Sequence, residues 1–299
     1  MNTYLPEGMG LRRGGFTPEL LRKAKTDGTI LQAPAVLCTE CQDLIVDLGC
    51  CMGQIPRAET AIGVAEGETR DIAILSRVGR AVSFRIMDLL PNGMPLLSRR
   101  LAMEEARSHL FQTKKPGDIL PAVVTSLASF GAFCDIGCGL PALLGLANIS
   151  VSRISHSKDR FREDQQIFTV IRTMDPTDLR IQLSHKELLG TWAENAAQFQ
   201  QGQTVTGIVR SVRDYGAFIE LAPNLSGLAE PNFDLHPGDV VSVFIKAILP
   251  ERLKFKLIAL RKLDPQAVSQ RPLKYFRTAG HLDSWRYGSE AFAKTVTVF

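Results

Sequence analysis

No stretch of the 299 residues approaches the roughly 18 consecutive apolar side chains that a membrane-spanning helix needs, so no membrane span is expected. The opening residues, MNTYLPEGMGLRRGGF, carry no apolar signal core and no cleavage site. Cys38, Cys41, Cys50, Cys51, Cys134 and Cys138 are therefore expected as free thiols in a reducing, cytoplasmic compartment. Neither sign of charge dominates: 35 basic side chains face 31 acidic ones, a net charge of +4. So small a surplus excludes tight nucleic-acid binding by bulk attraction, and any such binding needs local patches plus stacking. The five histidines, His109, His156, His185, His236 and His281, show no metal-ligand spacing and belong to no serine- or cysteine-centred catalytic pattern. Gly8-Met-Gly10-Leu-Arg-Arg-Gly14-Gly15 lacks the preceding strand and the lysine of a phosphate loop, and reads as a flexible arm. Cys38-Thr-Glu-Cys41 with Cys50-Cys51 approaches the composition of a four-cysteine zinc site, but adjacent ligands suit a tetrahedral clamp poorly. Free thiols in a strand hairpin are the better reading. No catalytic residue, metal or cofactor is expected, and the chain reads as a binding protein rather than an enzyme.

What the sequence does contain is a repeat. Residues 117–145 (GDILPAVVTSLASFGAFCDIGCGLPALLG) align without a gap to 202–230 (GQTVTGIVRSVRDYGAFIELAPNLSGLAE), with eight of 29 positions identical. Gly131/Gly216, Ala132/Ala217, Phe133/Phe218 and Leu143/Leu228 are among the identities, and Phe130/Tyr215 and Asp135/Glu220 are close exchanges. Each copy opens on a β-rich run, Ile119–Leu127 or Val205–Val212, turns, and continues as an aromatic-Gly-Ala-Phe strand. Further strands follow at Ile167–Met174 and Leu179–Leu183, and at Val240–Ile248 and Leu253–Leu260. Five short strands per copy make the inventory of a small closed barrel, which has no exposed edge. The fold class is all-β with connecting helices, as tandem five-stranded barrels of the OB type.

Helical signals lie between these units. Thr17 caps a segment with Pro18 at its first position and Gly28 as its stop, and Ser98 caps a second over 98–111. Ser184 with Glu187 forms a capping box, and Leu188, Leu189, Trp192, Ala196 and Phe199 recur at helical spacing, which predicts one amphipathic connector over 184–200.

In the repeated strand side chains alternate between interior and surface. Phe130 with Phe133, and Tyr215 with Phe218, either fill the barrel cores or stand outside as pairs, where exposed rings stack on nucleobases for ~1–3 kcal/mol per base. Cys134, Ile136, Ile219 and Leu221 are available to fill the cores instead.

The strings FGAFCDIGCG, NISVSRISH, LSHKELLGTW and YGAFIELAPNLSGLAE resemble the ribosomal S-one (S1) RNA-binding domain family. The resemblance implies a five-stranded OB barrel that binds single-stranded RNA through two strand aromatics, a histidine after the third strand, and an aspartate and arginine near the last hairpin. By position these are Phe130, Phe133, Asp175 and Arg180 in the first copy, and Tyr215 and Phe218 with Lys254 in the second. Gly145 and Glu230 stand where the histidine falls, and Leu249 replaces the second aspartate. Residues 28–100 resemble a diverged third member in which Gln42 and Ile45 take the aromatic positions, leaving Arg57, Arg77 and Arg80 for RNA backbone, or a protein-binding role. The tail LKYFRTAGHLDSWRYG and the overall layout resemble the short S-one-like ribosomal proteins of clostridia-type bacteria.

Basic candidates for phosphate contact are Arg153, His156, Lys158, Arg160 and Arg162, and Lys254, Lys256, Arg261 and Lys262. Lys274, Tyr275, Phe276, Arg277, Trp285, Arg286 and Tyr287 interleave rings and charges in the tail, for RNA contact or for packing on the last barrel. The expected layout is an arm and helix over 1–27, the diverged unit with a linker helix over 28–112, RNA-binding units over 113–190 and 191–262, and a basic, aromatic tail over 263–299. The expected partners are single-stranded RNA, mRNA in particular, and the 30S ribosomal subunit, with the chain a monomer. Rival readings are a factor in RNA processing, decay or transcription, a hydrolase with an unrecognised site, and a protein-interaction scaffold.

Overall fold

The structure, a computed structural model, describes residues 4–12, 15–90, 93–231, 234–264, 273–289 and 295–299. Among the described residues three closed five-stranded barrels follow one another. The first uses β1 (Leu31–Cys38), β2 (Leu44–Asp47), β3 (Met52–Ile55), β4 (Ala81–Leu89) and β5 (Pro95–Ser98). The second uses β6 (Ile119–Ala128), β7 (Gly131–Asp135), β8 (Pro141–Gly145), β9 (Gln166–Asp175) and β10 (Arg180–Ser184). The third uses β11 (Thr204–Arg213), β12 (Gly216–Ala222), β13 (Leu225–Ala229), β14 (Val240–Leu249) and β15 (Lys254–Leu263). In each, the first three strands form an antiparallel meander and the fifth strand closes the barrel parallel to the third.

Alternation along the strands dictates these interiors. Val124, Ala132, Cys134, Leu144, Ile171 and Leu183 are fully buried in the second barrel, and Val209, Ala217, Ile219, Val243 and Ile245 in the third. Leu44, Val46, Ile55, Val82, Phe84 and Leu97 do the same in the first, although that unit shares little sequence with the others. Each first strand carries a bulge at the same register, between Ala35 and Leu37, Val124 and Ser126, and Val209 and Ser211. A bulge of this kind increases local twist and helps a short sheet close on itself.

Helix α1 (Pro18–Asp27) starts where Thr17 accepts from the Leu20 amide and stops at Gly28, which takes the left-handed conformation at φ 63°. A short α2 (Ile72–Leu75) sits in the long β3–β4 connection, and α3 (Arg99–Thr113) joins the first two barrels behind its Ser98 cap. Between the second and third barrels the structure corrects the single predicted connector. Lys186–Leu189 form one 3-10 turn, Gly190 breaks the path at φ 84°, and α4 (Trp192–Ala196) restarts behind Thr191, which forms a capping box with Glu194. The tail lays β16 (Ser284–Arg286) beside β17 (Val296–Val298).

The N-terminal segment is a second correction, because residues 4–12 are not a loose arm. The Gln32 side chain accepts from the Gly8 and Gly10 amides at 3.1 and 3.0 Å, and the Cys138 amide donates to the Leu5 carbonyl at 2.9 Å. Glu7 lies buried between the first two barrels, where Arg99 donates to it through Nε (2.7 Å) and Nη2 (2.9 Å). Gly14 falls outside the described residues.

Candidate nucleic-acid interface

The aromatic pairs owe their position to one backbone device used twice. Gly131 has φ 155° and Gly216 φ 145°, and a Cβ on either would lie 2.3 Å from the Leu144 carbonyl oxygen or 2.2 Å from that of Ala229. Only glycine lets the second strand start so close to the third. With Ala132, Cys134, Ala217 and Ile219 turned inward, the rings flanking each glycine point out. Phe130 is 58% exposed, Phe133 37% and Tyr215 62%, while Phe218 is half-buried. Phe130 and Phe133 meet edge to face at 6.0 Å, and Tyr215 and Phe218 at 6.1 Å.

Strand register carries each aromatic row across the barrel wall. Phe133 pairs with Leu143, which pairs with Gln182; Phe218 pairs with Leu228, which pairs with Lys256. Two residues earlier on the fifth strands stand Arg180 and Lys254, each exposed and each following a left-handed leucine, Leu179 or Leu253. In the third barrel the surface closes into a groove of about 830 Å³, walled by Tyr215, Phe218, Leu228, Lys254 and Lys256 and reached by Lys246. Asp175 turns the β9–β10 hairpin, accepting from the Thr177 and Asp178 amides at 2.8 and 3.2 Å. Those bonds hold its carboxyl below the ordinary range, so its charge persists beside Arg180.

Arg153 and Lys158 are exposed on the long connection between β8 and β9. Arg160 is a different matter. Its guanidinium is buried and donates to both Glu220 oxygens at 2.8 and 2.9 Å, so it is withdrawn from the basic candidates. Arg57, Arg77 and Arg80 are likewise engaged: Arg57 with Asp71 at 2.8 Å, Arg77 with Glu7 at 3.6 Å, and Arg80 with Glu163 at 3.2 Å. In the first barrel Gln42 and Ile45 do occupy the aromatic positions, and a polar web of Gln42, Arg57 and Asp71 covers that face. Glu230, where a histidine falls in the family, is paired with Lys246 at 3.1 Å.

The tail aromatics pack rather than project. The Tyr275 hydroxyl lies 3.1 Å from His185 Nε2, Trp285 is buried, and the Trp192 amide donates to the Tyr287 carbonyl. Burial pushes His185 down to about 4, against the opposing hydrogen bond of the Ile149 carbonyl, so it stays neutral. Leu143, Leu228 and Lys246 belong to the two faces and were passed over in the sequence, although the Leu143/Leu228 identity marks the position. Among the described residues no three histidine, cysteine or acidic side chains converge on a metal site; Cys50 and Cys51 lie with their sulfurs 3.8 Å apart. No helix among those residues is long and apolar enough to cross a membrane.

Comparison with known proteins matches the family described as S1 RNA binding domain to residues 113–186, the stretch that folds as the second barrel. This barrel is an S1 RNA binding domain. The surrounding chain is similar to small ribosomal subunit protein bS1 of Rhizobium meliloti (strain 1021), 29% identical over 208 residues that cover 66% of this chain and 36% of that one. It is also similar to bS1 of Leuconostoc lactis, 30% identical over 238 residues covering 73% and 54%. The chain thus spans between about a third and about half of the length of these relatives. Among solved structures, a multidomain protein with nucleic acid binding domains from Streptococcus pneumoniae shares 13% identity across 78% of this chain and 74% of its own, at a TM-score of 0.27.

Proposed function

We propose that this protein binds single-stranded RNA, mRNA in particular, across the aromatic faces of its second and third barrels, and acts in translation at the small ribosomal subunit. The observation that carries the reading is the outward-facing, edge-to-face pair of rings that two barrels present at the same positions, one of them an S1 RNA binding domain. Stacking on Phe130, Phe133, Tyr215 and Phe218 accepts any base, because every base has a flat face. Arg180, Lys254 and Lys256 beside the rings, and Arg153 and Lys158 on the connection, supply phosphate contacts that position the strand without reading it. Asp175 fixes the hairpin from which Arg180 projects. Barrel one, without rings and with its arginines paired, contributes less to RNA and serves contacts with protein. The ribosomal role and the cytoplasmic location follow from the likeness to bS1.

Replacing Phe130 and Phe133 together by alanine tests the reading. Removal of exposed rings leaves the core intact, so the variant folds, and its affinity for an oligouridylate falls by ~2–4 kcal/mol. Unchanged affinity in the folded variant refutes the assignment.

A further inference from the structure

One acidic position recurs in the repeat with a use the aromatic face does not explain. Asp135 and Glu220 directly follow the ring strand's core residues Cys134 and Ile219, and both are buried. Each reaches back to the preceding part of the chain. Asp135 accepts from the Glu7 amide at 2.6 Å at the first junction, and Glu220 takes Arg160 of the second barrel and Arg210 of its own at the second junction. Burial alone would raise the Glu220 carboxyl, but the two guanidinium groups outweigh it and hold it below its ordinary range.

The second junction is polar and built from buried side chains. Asn224, completely buried, accepts from the Val151 amide at 2.9 Å and donates to the carbonyls of Lys186 (2.7 Å) and Gly190 (2.8 Å). The Ser152 amide donates to the Pro223 carbonyl at 3.2 Å, and the Tyr287 hydroxyl of the tail donates to the Asn224 carbonyl. Contacts of this kind tolerate one arrangement of the two barrels, since any sliding strands a buried charge or amide.

That arrangement also places the two faces in sequence. The Leu146 amide donates to the Phe130 carbonyl at the edge of one aromatic pair, and Val151, five residues later, is part of the wall of the groove that holds Tyr215 and Phe218. Five residues reach no more than about 18 Å even when fully extended. We propose that barrels two and three form one rigid body in which the Arg160–Glu220–Arg210 clasp lines up the two aromatic faces as a single track, so that one RNA strand occupies both at once. This rests on the RNA reading above and adds the geometry of the bound strand: a single continuous ligand, with Arg160 a positioning residue that touches no RNA.

The test uses the full chain and oligouridylates of 4 to 24 nucleotides, read by fluorescence anisotropy, with Arg160→Met as the variant. Short oligomers fill one barrel. Past a threshold length affinity steps up, by 100-fold or more where two linked sites are engaged together. Arg160→Met is expected to leave short-oligomer affinity within 2-fold and to shrink the step at least 10-fold. A smooth rise with length, or a step untouched in a folded Arg160→Met chain, overturns the rigid track while leaving RNA binding in place; no binding at any length overturns both. Amide relaxation of the unsubstituted protein provides a check that needs no variant: one rotational correlation time for both barrels supports the proposal, and two distinct times refute it.

Discussion

The first junction makes a pH prediction that can be worked through. Asp135 sits fully buried with Glu7 beside it. Burial first, and the Glu7 charge second, push its carboxyl up to about 7, against the opposing bonds from the Glu7 and Gly137 amides and the charge of Arg99. The groups facing this cluster are Glu7, Arg77, Arg99 and Cys138. In the unfolded chain Asp135 titrates at its ordinary 3.8. Between these values the folded state holds a proton that the unfolded state has lost, so the sign is the reverse of the usual carboxylate case: the contribution of Asp135 to stability is fully present below about pH 4 and declines as pH rises to 7. A displacement from 3.8 to about 7 corresponds to a loss of about 4 kcal/mol over that window. The assay is a carboxyl-carbon NMR titration of Asp135, joined to urea midpoints of first- and second-barrel amide signals at pH 5 and pH 8. An Asp135 midpoint near 7 and a lower urea midpoint at pH 8 are expected, with the difference reduced in Asp135→Asn. A midpoint below 5 refutes the reasoning.

Gly131→Ala and Gly216→Ala should each destabilise their own barrel by about 1–3 kcal/mol from backbone strain alone, before the overlap with the facing carbonyl is counted; matching losses of amide protection in the two barrels check it. The affinity for oligouridylate should fall with salt at a slope of about −3.5 in logarithms, since Arg153, Lys158, Arg180, Lys254 and Lys256 offer about five phosphate contacts at roughly −0.7 each. A flat salt dependence contradicts that count.

The barrels were legible because their strands are local and their pattern repeats. Gly131, Phe133 and Leu143 return at Gly216, Phe218 and Leu228, and the alternation around them leaves inward and outward faces in little doubt. In the first barrel β5, four residues long and running straight into the Ser98 cap, looks in sequence like the approach to a helix. Gly190 was visible inside the connector, but a periodicity of apolar residues does not reveal that the chain restarts at Thr191 with a cap of its own. What the sequence hid is long-range. Arg160 reads as one more cation of a charged loop until Glu220, sixty positions on, is seen against it. Glu7 sits in a glycine-rich string that resembles a loose arm, and only the fold shows the cavity between barrels that it fills. Charges committed to distant partners carry no local signature, whereas exposed rings beside a glycine do.

Photo-crosslinking of a bound oligouridylate to the full chain, with the attachment sites read by mass spectrometry, addresses the central claim most directly. Adducts at Phe130, Phe133, Tyr215 and Phe218 are predicted. Adducts confined to the first barrel, with both aromatic faces unmodified, would contradict it.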